Sequence, residues 1–138
     1  MSSNIVTYPI LIKESDLDTF GHVNNATYLK LFEEARWDLI TKNGYGIKTI
    51  RETKLGPTIL EIKIRFLKEL RLREKITIET QLVSYNKKIG VLAQKMIRDD
   101  EVCCEAEFTI ALFDIAERKI VSPTTEWLRA IGAEPLES

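Results

Sequence analysis

The sequence is short of the residues that build metal and disulfide sites. It holds one histidine, His22, and two cysteines, Cys103 and Cys104, which are chain neighbours. Adjacent residues on a strand point to opposite faces, so a bridge between these two thiols is strained and none is expected. A zinc site would have to gather His22, Cys103 and Cys104 without any usual ligand spacing, so neither metal nor cofactor is expected. Unbridged cysteines fit a reducing, cytoplasmic setting. Basic excess is also missing: 20 Lys and Arg stand against 21 Asp and Glu, which argues against a general nucleic-acid binder. No apolar run approaches the ~20 residues needed to span a bilayer, so no membrane partner is expected. Met1-Ser2-Ser3-Asn4 lacks the basic region and apolar run of a secretory signal. Repeats, low-complexity tracts and Pro/Gly/Ser-rich linkers are absent, and the expectation is one domain over residues 1–138.

What is present is enough apolar residue for a core, 44%, with 30% charged residues to solvate the surface. Val6 to Lys13 is a strand candidate, followed by a polar, turn-rich stretch from Glu14 to Asn25. Tyr28, Leu31, Phe32, Ala35, Leu39 and Ile40 then fall on one face at helical period, which predicts a long helix. Asn24 or Asn25 can cap its start, and Asn43-Gly44 supplies the stop. From Thr58 the period changes to two. Leu60, Ile62, Ile64 and Phe66 alternate with Glu61, Lys63 and Arg65, and Ile76, Ile78 and Leu82 alternate with Thr77, Glu79 and Gln81, as in half-buried antiparallel strands. Tyr85-Asn86-Lys87-Lys88 reads as a hairpin into a strand from Ile89 to Arg98, and Asp99-Asp100-Glu101 as a turn into a strand from Val102 to Ile115. A short helix near Thr125 to Ile131, capped by Thr124 or Thr125, and a frayed tail from Ala133 close the chain. Strand, long helix, then four strands is an α+β order with the helix on an antiparallel sheet.

The chemistry-bearing segment is Asp16-Leu17-Asp18-Thr19-Phe20-Gly21-His22-Val23-Asn24-Asn25-Ala26-Thr27-Tyr28. It sets carboxylates, a glycine, a histidine and two asparagines just before a helix N-terminus. Free N–H groups and partial positive charge there can hold the oxyanion that forms when a carbonyl is attacked. A nearby carboxylate, Asp18, can activate water or attack the carbonyl itself. Gly21 allows the loop to approach a substrate closely. On composition alone the same loop is a turn and a cap, and Asp16 reads best as a turn carboxylate.

Asp18-Thr19-Phe20-Gly21-His22-Val23-Asn24-Asn25-Ala26-Thr27-Tyr28, continuing into Phe32-Glu33-Glu34-Ala35-Arg36, resembles the signature of the 4-hydroxybenzoyl-CoA thioesterase family of hotdog proteins, in particular the acyl-CoA thioester hydrolases that carry Asp-x-x-Gly-His-Val-Asn-Asn-x-x-Tyr. The resemblance implies a hotdog fold, a long central helix packed on a five-stranded antiparallel sheet. It implies an acyl-CoA substrate cleaved to an acid and free CoA, with Asp18 as nucleophile or general base and the Asn25 backbone N–H as oxyanion donor. Some relatives carry histidine at the Asn25 position, so only the backbone role carries over there. His22 and Asn24 would order the loop, and Gly21 and Asn24 would border the substrate. Tyr28 reads as core.

The resemblance further implies a homodimer or homotetramer with sites between subunits. Lys87 and Lys88 match a basic loop that meets the nucleotide end of CoA, with Arg71 and Arg73 as further candidates. Glu33 and Glu34 are read as solvated or paired with neighbouring Lys30 and Arg36. Phe20, Trp37, Leu55 and Ile59 are candidates for the acyl pocket. Three rival readings stay open at this point: an acyl-carrier-protein thioesterase, a hotdog hydratase, and a non-catalytic acyl-CoA-binding protein.

Overall fold

A computed structural model describes residues 4–133. Glu134 to Ser138, most of the expected tail, lie outside the described residues. The chain runs β1 (Val6–Leu11), α1 (Asn25–Lys42), α2 (Ile47–Thr53), β2 (Leu55–Phe66), β3 (Lys75–Asn86), β4 (Ile89–Arg98), β5 (Glu101–Asp114), β6 (Lys119–Val121) and α3 (Thr125–Ala130). Every strand pairing is antiparallel, in the order β1-β3-β4-β5-β2, with β6 added to β5 at Leu112–Asp114. Among the described residues the sheet therefore has six strands rather than the five expected, because Lys119–Val121 folds back on the end of β5.

The apolar stripe expected from the helical period is the buried face of α1. Its buried residues are Tyr28, Leu31, Phe32, Ala35, Leu39 and Ile40, and Phe32 meets Phe108 of β5 edge to face at 5.8 Å. Asn24 caps the start, its Oδ1 accepting from the Ala26 N–H at 3.3 Å, and Gly44 follows the end at φ +85°. Inward residues of the sheet, Ile76, Ile78, Leu82, Leu92, Met96, Phe108 and Ile110, complete the core beneath it. The closing α3 is capped by Thr124, whose Oγ1 accepts from the Trp127 N–H.

Two elements depart from expectation. A short helix, α2, precedes β2, in a stretch whose Thr, Arg and Lys content shows no strong period. In β2, Leu60, Ile62 and Phe66 are 45%, 42% and 48% exposed, although their alternation reads as a half-buried face. A register shift between Ile59 and Glu61 interrupts the alternation, and β2 ends the sheet order. Its apolar side chains thus lie along an open edge.

Candidate active site

Residues 18–22 close into a compact loop. The Asp18 N–H donates to the His22 carbonyl at 2.8 Å, and the Gly21 N–H donates to the Asp18 carbonyl at 3.1 Å. Gly21 sits at φ +79°, where a Cβ is disfavoured. The Asp18 Oδ1 accepts from the backbone N–H of Phe20 at 2.9 Å and of His22 at 3.1 Å. Those donors, His22 foremost, hold the carboxyl below its ordinary pKa, so it is ionised at neutral pH. Among the described residues nothing donates to Oδ2. One carboxylate oxygen is tied to the loop, and the other faces solvent.

At the helix start the amides divide the same way. The Ala26 N–H goes to the Asn24 side chain and the Thr27 N–H to the Asn24 carbonyl. Among the described residues none accepts from the Asn25 N–H, leaving a free first-turn donor at the positive end of an 18-residue helix. Asn25 borders an open cleft with His22, Tyr28, Phe66, Lys68 and Glu69. His22 Nε2 lies 3.2 Å from Glu69 Oε1, which ties the loop to the β2–β3 connection. Tyr28 is buried and meets Phe66 edge to face at 5.0 Å. Asp16 is a turn carboxylate, its Oδ2 accepting from the Lys13 N–H. Asp18, Gly21, His22, Asn24 and Asn25 thus gather at one loop–helix junction. Glu69 and Lys68 join them from a distant segment, with no local motif to announce them.

Other candidates lie elsewhere. Lys87 and Lys88 cap the β3–β4 hairpin, whereas the Asp18 loop sits at the opposite end of the sheet, beside the start of β3. Twelve residues of β3 separate the two ends, about 36 Å of strand. Within one chain these lysines do not meet Asp18. Arg71 and Arg73 stand at the Asp18 end, Arg73 paired with Glu14 at 2.7 Å. Glu34 accepts from the Tyr8 hydroxyl at 2.7 Å rather than pairing with a cation. Phe20 is 83% exposed. Trp37 and Ile59 line a second, mainly apolar cavity of about 190 Å³ under the far half of α1, with Glu33 and Arg36 at its wall. Leu55 does not line it; its carbonyl accepts from the Tyr45 hydroxyl at 3.0 Å.

Residues 12–131 match the Thioesterase-like superfamily. The chain belongs to this superfamily. A thioesterase-like protein of this build has the hotdog arrangement of α1 against an antiparallel sheet. The chain is 30% identical over 115 residues to the long-chain acyl-CoA thioesterase FadM of Escherichia coli, covering 82% of this chain and 86% of that protein. It is similar to the crystal structure of the probable thioesterase YbaW of Escherichia coli, with a TM-score of 0.79 and 27% identity over 90% of this chain and 94% of that one. A Staphylococcus aureus protein solved in complex with CoA shares the fold, at TM-score 0.85 and 17% identity, over 95% of this chain and 84% of that one. No helix of the described residues is long and apolar enough to cross a membrane.

Proposed function

We propose that this thioesterase-like protein hydrolyses an acyl-CoA to a carboxylic acid and free CoA, as the names of its relatives describe for them. The observation that carries the site assignment is the division of labour at the loop–helix junction. Asp18 is fixed through Oδ1 with Oδ2 free, and the Asn25 N–H has no partner. On this reading a thioester carbonyl in the cleft rests its oxygen on the Asn25 amide, and the Asp18 carboxylate acts on its carbon, directly or through a water, from the loop that borders the cleft through His22. Attack by Asp18 gives a tetrahedral intermediate that expels the CoA thiolate and leaves a mixed anhydride. Water then opens the anhydride to free the acid, restore the Asp18 carboxylate and supply the thiolate's proton. Attack by water in its place gives the acid directly, with Asp18 taking the water's proton and passing it to the thiolate. A lowered pKa weakens a carboxylate both as base and as nucleophile, so direct attack and activation of water are both open to Asp18.

The open edge of β2 supports a homodimer. Antiparallel pairing of β2 with a second copy continues the sheet, covers Leu60, Ile62 and Phe66, and encloses α1 as the central helix of the joined sheet. Such pairing sets the Phe66 end of one β2 beside the Leu55 end of its partner. The Asp18 loop of one protomer then comes near the 190 Å³ cavity and the Lys87-Lys88 hairpin of the other, which lie at that opposite end. On this reading Lys87 and Lys88 meet the CoA phosphates from the partner, with Gly21 and Asn24 bordering the thioester, in a cytoplasmic enzyme.

Asp18→Asn is the decisive variant. Asparagine keeps an oxygen acceptor for the Phe20 and His22 amides but lacks the charge and the nucleophile. Thiol release from acyl-CoA should fall by two or more orders of magnitude, on the order of the loss of a covalent or acid–base group, with the melting temperature nearly unchanged. Full activity in the variant removes Asp18 from the mechanism. Parallel assays with the same acyl group on CoA and on carrier protein separate the carrier-protein reading, which requires the second ester to be preferred.

A further inference from the structure

The cavity beneath the far half of α1 is mainly apolar, with two charged side chains, Glu33 and Arg36, at its wall. Trp37, Ile59, Leu92, Ile110 and Trp127 supply its walls. Arg36 supplies a guanidinium, stacked over the Phe108 ring with Cζ 4.1 Å from the centroid. Its Nη1 donates to Gln94 Oε1 at 2.9 Å. Gln94 cannot turn away, because its Nε2 donates to the Phe32 carbonyl at 3.1 Å and to Thr80 Oγ1 at 3.0 Å. A neutral amide is therefore the fixed partner of one nitrogen. Among the described residues no carboxylate forms an ion pair with Arg36, and no further acceptor is hydrogen-bonded to it. Glu33, exposed at the cavity wall, forms no ion pair with Arg36 but favours its charged form through space. Desolvation lowers the Arg36 pKa to about 10, which leaves the group charged at neutral pH.

A cation held in an apolar wall with donors to spare is costly unless an anion meets it. About 190 Å³ is close to the roughly 150 Å³ of an engineered cavity that takes benzene, so the space holds a short acyl chain or a single ring.

We propose that Arg36 makes this cavity the acyl subsite for a short acyl group tipped with a carboxylate, the mono-CoA ester of a small dicarboxylic acid. This rests on the thioesterase reading above and names its substrate class. The acyl body fills the space between Trp37, Ile59 and Trp127, and the terminal carboxylate takes the free donors of the guanidinium, whose planar fork suits a carboxylate. A hydroxyl would satisfy a donor but leave the charge unbalanced. A methyl terminus would leave both unsatisfied.

The test uses three CoA esters with one six-carbon backbone: hexanoyl, 6-hydroxyhexanoyl, and the mono-ester of hexanedioic acid. With the full-length protein, kcat/KM for the carboxylated ester should exceed that for hexanoyl by about tenfold or more, with the hydroxylated ester between them. Arg36→Met keeps an apolar stem over Phe108 and should reverse the order. Arg36→Lys keeps the charge without the fork and should retain part of the preference. Hexanoyl-CoA cleaved as fast as the carboxylated ester by the wild type, or an unchanged ratio in a folded Arg36→Met, overturns the assignment. If that variant does not fold, the wild-type ratio alone decides. Thiol release without preference sinks only the selectivity. No thiol from any ester of a broad panel sinks the thioesterase reading itself.

Discussion

The backbone N–H of His22 donates to Asp18 Oδ1 at 3.1 Å, so the loop that carries the carboxylate also ionises it. With the Phe20 N–H it holds the Asp18 pKa below its usual 3.8, and no residue of the described chain acts to raise it except by partial desolvation. The folded-state pKa is depressed, so the charged form is the one the fold favours. This contribution to stability is present above the unfolded pKa and is lost as pH falls through the folded value. Activity follows the same group: kcat/KM should stay flat from neutral pH down to about pH 5 and decline only near and below the ordinary aspartate range. A rate profile in a constant-ionic-strength buffer series checks this. An ascending limb centred near pH 6 to 7 would assign the essential base to another group.

Glu69 is placed to position the same loop. Its Oε1 lies 3.2 Å from His22 Nε2, and the two side chains are 48% and 63% exposed. An exposed contact of this kind is worth about 0–1 kcal/mol, so Glu69→Gln should barely move the melting temperature. Glutamine can still bond the imidazole, whereas Glu69→Ala cannot. The alanine variant should lower kcat about three- to tenfold with the glutamine variant near wild type, a split that loop placement produces and a purely structural role does not. Equal activities in all three proteins would remove Glu69 from the site.

The legible parts of the chain were those governed by short-range rules. The apolar stripe of α1, its Asn24 cap and the Asn43-Gly44 stop depend only on neighbours within a turn or two. So does the Asp99-Asp100 turn, where both residues take positive φ. The Asp18 loop was legible as a carboxylate beside a helix start, and its family signature sharpened that. What could not be read depends on which strands end up adjacent. Leu60, Ile62 and Phe66 have the alternation of a covered face, but β2 is an edge, and nothing in its own sequence says so. Lys87 and Lys88 read as substrate contacts, and nothing in their own sequence says that sheet order puts them at the far end from Asp18, where only a second copy could bring the two together. Glu69 and Arg36 acquire their surroundings only through contacts with residues 47 and 58 positions away, His22 and Gln94.

Gly90 offers a stability test away from the Asp18 loop. A Cβ built there would lie 2.6 Å from Tyr85 Cδ2 and 3.3 Å from Ile110 Cγ1. Tyr85 cannot move freely, because its hydroxyl accepts from Trp127 Nε1 at 3.2 Å and so links the β3–β4 hairpin to α3. Gly90→Ala should therefore cost about 1–3 kcal/mol as an overpacking substitution, read as a lower denaturant midpoint with unchanged slope. Adding Tyr85→Ala should return part of the loss, since the clash is with that ring. A Gly90→Ala protein as stable as wild type would show that the ring has room to withdraw.

The β2 edge tests whether the chemistry needs two copies. Ile62 is 42% exposed and sits mid-strand at the end of the sheet order. In an isolated chain Ile62→Lys is a surface change and should alter stability by no more than about 0.5 kcal/mol. In an edge-to-edge dimer it sets two ammonium groups near the twofold axis of a desolvated interface, where neither finds a partner. Sedimentation analysis should then show wild-type dimer or larger and variant monomer, with the variant still folded by circular dichroism. Because Asp18 and the acyl cavity lie at opposite ends of one chain, that folded monomer should also lose acyl-CoA hydrolysis by an order of magnitude or more. A monomer with full activity would mean that one chain completes the site alone, and the acyl group would then have to lie in the cleft between Asn25 and Phe66 instead of in the partner's cavity.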